Sequence, residues 1–527
     1  MNQQDYSKLS PFEFKNVLID LGKKTGKKLL DAGRGNPNFL NTTVRDGFSF
    51  FHHFVAKLSK QESNIPHVGK RFAKEGIAKK FNQFIDDCCP NDTKEFLRGL
   101  IRCAQNTFNL KPDDLIFEIA DSILGDFYPV PPRILHHVEI VLRKFLTKIL
   151  YHDSSEPTKD FDLFATEGAT MAMVYIFNTL KINKLICPGD SIAIITPIFS
   201  PYLEIPELEE FKLHQIHIKC EEELLWQIPN NEIEKLKDPK IKALFLVNPS
   251  NPPGVSLSVD SRMKIKELVD THRQDLIIIS DDVYAPFVED FTSTFFDLPR
   301  NTIGVYSYSK YYGVTGWRLG VISINRDNIF DKLMKDLPTN VKNKINQRYS
   351  SYCDKPEEIP FIERLSVDSR EVALAHTGGL SCPQQIFMLF LSLFELMDTE
   401  NTYKASIHNI LRKRADILYE SLGCELLHGC HYSYYYVMIN LKILALKHFD
   451  KTFANYIEKE VSVIEFLLRL AKETATVCLP GEGFAGSPST FRISLANLDD
   501  EEYAEIGKNI RIIIEQYYKE WQAKKTN

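Results

Sequence analysis

No run of about 18 apolar residues occurs anywhere in the chain, so no segment is suited to cross a bilayer as a helix. The opening MNQQDYSKLSPFEF carries no apolar signal core. The ten cysteines form no CxxC pair, and only Cys88 and Cys89 are adjacent, which excludes an evident zinc framework or disulfide scaffold. The histidine pairs His52-His53 and His136-His137 lack HExxH spacing, and adjacent residues on a helix point in different directions, so no metal site is expected. Positive charge is not in excess either: the net charge is -6, which denies the chain the basic footprint of a nucleic-acid binder. These absences predict a soluble, cytoplasmic protein with reduced thiols that works on small molecules, with no nucleic acid and no membrane as partner.

What is present is an ordinary globular composition, 44% hydrophobic and 25% charged over 527 residues. That length suits roughly two to four domains, or one large domain with a smaller companion. The stretch SYSKYYGVTGWRLG, Ser307 to Gly320, places a lysine, hydroxyls and an arginine in a glycine-punctuated loop after the apolar run NTIGVYS. A lysine amine forms Schiff bases with carbonyls when its neighbours keep it neutral. Ser307, Ser309 and Arg318 would suit a phosphate, the guanidinium by bidentate contact. Together Lys310 and these residues point to a phosphorylated aldehyde, against the plainer reading of a surface turn with a solvated lysine.

Four further signals bear on that choice. LLDAGRGNPNFLNTT puts Arg34 between Gly33 and Gly35 in an irregular loop, where it is either a solvated turn arginine or an anion contact. From about Asp46 to Leu124 apolar residues recur at helical spacing, which predicts a helical insert. GDFYPVPPRIL then presents Tyr128 on an extended segment, as a site residue or a packed one. FDLFATEGATMAMVYIFNTL reads as strand, turn at Gly168-Ala169-Thr170 and helix, whose N-terminal N–H groups, with the Thr170 hydroxyl, could meet a phosphate.

From Gly189 to about Ile324 apolar runs alternate with helical segments, the pattern of βαβ units around a mainly parallel sheet. Sites then belong at the strand C-terminal ends, which singles out Phe199 after TPI, Asn251 in NPSNPPG, Asp281 and Tyr284 in SDDVY, and Lys310. Each has a plain structural reading as turn, cap or packing residue. Between about Asp331 and Arg370 charge density rises and apolar runs shorten, which predicts an exposed excursion; HTGGLSCPQQ and the apolar helix IFMLFLSLFELM follow. Beyond about Thr399 come amphipathic helices and a Tyr-rich strand, HYSYYYVMINL. Gly481, Gly483 and Gly486 form a formal GxGxxG, but Pro488 and the strand-like FRISLA follow where a dinucleotide site needs a helix. Arg492 on that strand is either paired within the protein or offered to a ligand carboxylate.

In this order, GATMA, TPIF, NPSNPPG, SDDVY, SxSKxxGxxGxRxG and FRISLAN resemble the pyridoxal-phosphate aminotransferases of the aspartate aminotransferase fold type, from about Gly33 to Asn497. GRGNPNFLNT, the helical insert and YPVPPRIL are similar instead to the L-aspartate 4-decarboxylases, bifunctional aspartate aminotransferase and aspartate beta-decarboxylase enzymes. The resemblance implies an α/β protein of PLP-dependent transferase fold type I, with a mainly parallel central sheet covered by helices on both faces. Residues 1–45 would be an N-terminal arm contributing to the small domain and the site, 46–125 a helical insert, 126–395 the large PLP-binding domain and 396–527 a smaller α/β domain.

The resemblance also assigns roles around one cofactor, pyridoxal 5'-phosphate. Lys310 would bond its aldehyde, Asp281 would partner its ring nitrogen, Asn251 and Tyr284 its ring oxygen, and Phe199 would stack on its face. Gly168, Ala169, Thr170, Ser307, Ser309 and Arg318 would form the phosphate cup. Arg492, with the Gly35 N–H and Asn251, would take the substrate α-carboxylate, and Arg34 would orient the side-chain carboxylate or stabilise the loop that does. Ala169 stands where aspartate aminotransferases usually have glycine, and Phe199 where many have tryptophan. Tyr128 and the HTGGLS loop would reach a neighbouring subunit's site, implying at least a homodimer, extended in the decarboxylases to a hexamer of dimers. The implied activity is decarboxylation of L-aspartate to L-alanine and CO2 with accompanying transamination to a 2-oxo acid. Alternatives are an aspartate or broad-specificity aminotransferase without decarboxylation, and a non-catalytic PLP-binding regulator; the N-terminal segment shows no basic helix-turn-helix pattern to support the last.

Overall fold

The computed structural model describes Tyr6 and residues 9–150, 160–372, 374, 378–426 and 428–526. Its first long helix, Pro11–Lys23, starts on a reciprocal cap: Ser10 Oγ accepts the Glu13 N–H at 3.3 Å, and the Glu13 carboxylate accepts the Ser10 N–H at 3.1 Å. Pro11 sits at the first helical position, where a missing N–H costs nothing. A short strand, β1 (Leu30–Asp31), follows. Four helices, Thr42–Gln61, Ile77–Cys88, Asn91–Phe108 and Pro112–Leu124, then occupy the stretch with helical apolar spacing. The aromatic face of the first of them packs on the apolar helix Cys382–Met397, with ring centroids 4.9 Å apart for Phe48 and Phe387 and 5.7 Å for Phe51 and Phe390.

Seven strands form the central sheet: β2 (Phe161–Thr166), β3 (Ser191–Thr196), β4 (His214–Lys219), β5 (Ile241–Val247), β6 (Ile277–Asp281), β7 (Thr302–Ser307) and β8 (Gly320–Asn325). They lie in the order β2-β8-β7-β6-β5-β3-β4. Pairing is parallel throughout β7-β6-β5-β3-β4, while β8 is antiparallel to both its neighbours. Because β8 alone is reversed, the C-terminal ends of the other six strands and the start of β8 share one edge. Alternate residues of β5 enter cores on opposite faces, Phe245 with Phe177 on one and Leu244 with Ile265 and Leu268 on the other. A sheet buried on both faces in this way explains the nearly unbroken apolar strands.

A smaller antiparallel sheet is built from β9 (Tyr436–Asn440), β11 (Leu479–Pro480) and β12 (Thr490–Ser494), in the order β11-β12-β9. β10 (Thr476–Val477) pairs in parallel with β1, so the N-terminal segment is stitched to this region. The segment 331–370 departs from the exposed excursion that its charge density predicts. It folds into helices Ile329–Lys335, Thr339–Tyr349 and Phe361–Asp368 with Tyr349, Phe361 and Arg364 buried. Tyr349 donates to Asp368 at 2.8 Å, and Arg364 donates to Asn183 Oδ1 at 2.8 Å. The polar residues there are internal ties rather than solvated groups, and satisfied polar networks can be buried. Among the described residues no helix is long and apolar enough to cross a membrane, and no group of His, Cys, Asp and Glu is arranged to hold a metal.

Candidate active site

The shared strand edge holds a cavity of about 210 Å³ whose wall includes Ala169, Thr170, Phe199, Asn251, Asp281, Tyr284, Ser307, Ser309, Lys310, Arg318 and Arg492. Asp281 ends β6, Ser307 ends β7, and Lys310 follows three residues later. Phe199 and Asn251 lie in the turns after β3 and β5, while Arg318 precedes β8. Six residues of unrelated sequence position thus meet because each lies at the same edge of one sheet.

Lys310 Nζ is half-buried and donates to the Gly35 carbonyl at 2.8 Å. Burial lowers its pKa, the nearby Arg492 and Arg318 guanidiniums lower it further, and Tyr436 and Asp281 oppose them. A neutral amine is the reactive form for attack on an aldehyde. Asp281 accepts the Tyr202 hydroxyl at 2.7 Å and the Val283 N–H at 3.2 Å. Burial pushes its carboxyl up to about 6, against these hydrogen bonds and the lysine charge. A buried carboxylate so placed gains most from a cationic partner, such as a protonated ring nitrogen.

At the other end of the cavity, helix Gly168–Ile182 begins without a side-chain cap, leaving first-turn N–H groups to face an anion. Arg318 donates to the Thr315 and Glu167 carbonyls at 3.0 and 3.3 Å and has no ion-pair partner among the described residues. Gly168 adopts φ +81°, and a Cβ there would lie 2.5 Å from Arg318 Nη2, so glycine lets helix and guanidinium close on one point. Ser307 Oγ, 2.9 Å from Ser309 Oγ, completes the donor set. An uncapped helix start, two hydroxyls and an unpaired guanidinium fit a phosphate; lysine and carboxylate fit the aldehyde and ring nitrogen of pyridoxal 5'-phosphate.

Arg492 is the largest fully buried side chain, 1% exposed. Its Nη1 donates to Asn251 Oδ1 at 2.9 Å and its Nη2 to the Gly33 carbonyl at 3.0 Å, while Nε is buried without a partner. The guanidinium lies between the rings of Tyr436 and Phe484, 4.3 and 4.8 Å from their centroids. Among the described residues it forms no ion pair, and a buried cation without a counterion is costly unless a ligand provides one.

Gly35 lines the cavity, but Arg34 beside it is exposed and is not among the lining residues. Tyr128 is 58% exposed and likewise stands away from this cavity. Of HTGGLS, His376 and Thr377 lie outside the described residues. Phe12, Asn36, Tyr202, Thr315 and Tyr436 also line the site, and the sequence reading does not single them out. Tyr202 had a signal in TPIFSPY, three residues after Phe199. Tyr436 had only its place in a Tyr-rich strand, because the pairing of β9 with the Arg492 strand β12 is a long-range event.

Residues 144–357 match the family model for aminotransferase class I and II. A bifunctional aspartate aminotransferase and L-aspartate beta-decarboxylase from Pseudomonas sp. is 40% identical over 518 residues, 98% of this chain and 97% of that protein. Among solved structures, the aspartate aminotransferase from Rhizobium meliloti superposes with TM-score 0.60 at 16% identity, covering 98% of both chains. A Pyrococcus structure titled protein-A1 gives 0.61 at 18% identity over 98% of this chain and 100% of that one. These two show the fold. The near full-length identity shows more: the chain belongs to the family of the bifunctional aspartate aminotransferase and L-aspartate beta-decarboxylase, PLP-dependent proteins of the class I and II aminotransferase type.

Proposed function

We propose that this protein removes the 4-carboxylate of L-aspartate to give L-alanine and CO2, and also passes the aspartate amino group to a 2-oxo acid. The observation that carries the reading is the presence, in one cavity, of a half-buried lysine amine and a buried arginine without an ion-pair partner among the described residues. Those two groups suit an amino acid presented to an aldehyde. The name of the Pseudomonas relative supports aspartate as that amino acid and both reactions as its fates.

When bound, pyridoxal 5'-phosphate supplies an aldehyde that takes up an amino group and a ring that accepts electron density from bonds at the substrate carbon. Lys310 would hold that aldehyde, and its Nζ, when free, is the base placed to take the α-proton. Asp281 would keep a proton on the ring nitrogen, Asn251 and Tyr284 would donate to the ring oxygen, and Phe199 would cover the ring face. Ala169, Thr170, Ser307, Ser309 and Arg318 would hold the phosphate. Arg492 clamps the α-carboxylate with help from the Gly35 N–H, which leaves the 4-carboxylate as the group to be lost.

Loss of CO2 breaks a carbon–carbon bond, and a proton takes the vacated position, so each decarboxylation consumes one proton. A tight clamp on the 4-carboxylate would oppose loss of its charge. An exposed Arg34 is therefore better suited to select and orient that group than to grip it. In Arg34→Ala the aspartate KM should shift by more than kcat; unchanged values for both would remove Arg34 from substrate handling. The working unit is at least a homodimer acting in the cytoplasm, a compartment suited to ten cysteines that are all free.

The test is product analysis with aspartate, added PLP and no keto acid. Alanine and CO2 in equal amounts are expected, with a matching uptake of protons in a pH-stat held near pH 5, where the CO2 leaves as gas rather than as bicarbonate. Turnover only when a 2-oxo acid is supplied, with oxaloacetate as product, would reduce the protein to an aminotransferase.

A further inference from the structure

The loop after β1 is tied at one end to β10 and β12 and at the other to the segment just after β12. Ala32 N–H donates to the Val477 carbonyl at 2.9 Å, and Ser494 N–H donates to the Ala32 carbonyl at 2.8 Å. Beyond the cavity, Asn38 N–H donates to the Ala496 carbonyl at 2.8 Å. Between these ties Gly35 turns toward the large sheet, and its carbonyl oxygen accepts two donors: Lys310 Nζ at 2.8 Å and Tyr435 Oη at 2.8 Å.

Tyr435 is fully buried and does not line the cavity. Its ring is held by Tyr284, Phe287 and Tyr436 at centroid distances of 5.0, 4.9 and 5.0 Å. Its own carbonyl accepts the Leu495 N–H at 3.0 Å. Packing therefore already places the ring, and the hydroxyl is left with one specific contact, the carbonyl that also holds the lysine.

We propose that Tyr435 is a positioning residue for Lys310, acting through the Gly35 carbonyl oxygen that the two side chains share. A carbonyl has two lone pairs, so both donors are accommodated. The phenol occupies one of them, fixes the direction of the other, and makes the oxygen a poorer acceptor for an ammonium than it would be alone. The sharing thus holds the amine near the reacting centre while favouring its neutral form. The charged and titratable groups that also act on Nζ are Arg492 and Arg318, which disfavour its charge, and Tyr436 and Asp281, which favour it. This inference rests on Lys310 being the lysine that bonds the cofactor.

The test uses the full chain stripped of PLP and follows PLP recapture across pH, by visible absorbance and by the fraction fixed with borohydride. Tyr435→Phe keeps the ring and its packing. Its pH midpoint for capture should move up by about half to one unit, roughly three- to tenfold slower capture at neutral pH, with the melting temperature little changed. A midpoint that stays in place or moves down overturns the inference, as does a lower melting temperature with capture slowed equally at every pH. Lys310→Ala serves as the control and should yield no borohydride-fixed cofactor; if it does, the lysine assignment falls and this inference with it. The expected shift in a protein that makes no alanine from aspartate would sink the proposed reaction and leave the role of Tyr435 standing.

Discussion

Tyr202 has one dominant polar contact, its hydroxyl on Asp281, and so tunes the carboxylate without touching the reacting carbon. Hydrogen bonds to charged groups contribute about 1.5–3 kcal/mol. Tyr202→Phe should lower kcat with aspartate roughly ten- to hundredfold with a much smaller change in KM; an unchanged kcat would show that Asp281 does not depend on it. The neighbouring Asp282 is equally buried but serves structure, accepting Ser280 Oγ at 2.7 Å and Ser293 Oγ. Burial raises its carboxyl to about 7, and the charge of Asp281 adds to the rise. A carboxyl raised on folding contributes stability that is intact below its unfolded pKa and is lost as pH rises through the folded one. The melting temperature of the parent relative to Asp282→Asn should therefore be highest near pH 4 and fall as pH rises through 7. A constant difference across that range would mean that Asp282 is not titrating there. The SDDVY motif showed that a carboxylate pair ends a strand, but only the direction of each side chain separates Asp281, which lines the cavity, from Asp282, which does not.

Among the elements, the helix Gly168–Ile182 carries the most exacting local requirement. It must start in a left-handed conformation at Gly168 while the Arg318 guanidinium closes over that same residue. An alanine would meet both the unfavourable φ and the guanidinium, at a cost of about 1–2 kcal/mol. Gly168→Ala should therefore retain PLP about tenfold less tightly, read by dialysis against phosphate, while the far-UV spectrum stays that of the parent. Retention equal to the parent would show that Arg318 can move aside without cost. The turn, its glycine and the apolar helix after it are all legible in FATEGATMAM. Segment 331–370 was not, because the same charged residues can be solvated or folded into internal networks such as Tyr349–Asp368 and Arg364–Asn183, and composition cannot distinguish them.

At the scale of the molecule, the segment between the helical insert and β2 leaves Tyr128 and Val130 58% and 71% exposed on a proline-rich stretch. Apolar groups projecting from such a segment are suited to cover by another subunit. Light scattering should return a mass at least twice that of the 60.7 kDa chain. A monomer that turns over aspartate at full rate would exclude a subunit-shared site. The strand edge and the places on it of the lysine, the nearby hydroxyls and the strand-end carboxylate were determined by the sequence alone, since they depend on short-range patterns: apolar runs, glycine turns and residues at fixed offsets from them. Which side chains meet was decided only by tertiary structure. The reversal of β8 brings Arg318 to the edge shared by β6 and β7, and the pairing of β9 with β12 sets Tyr436 against Arg492. Gly35 reaches Lys310 across 275 residues of chain, a contact with no local signature, because loop ties and sheet packing far from either residue create it.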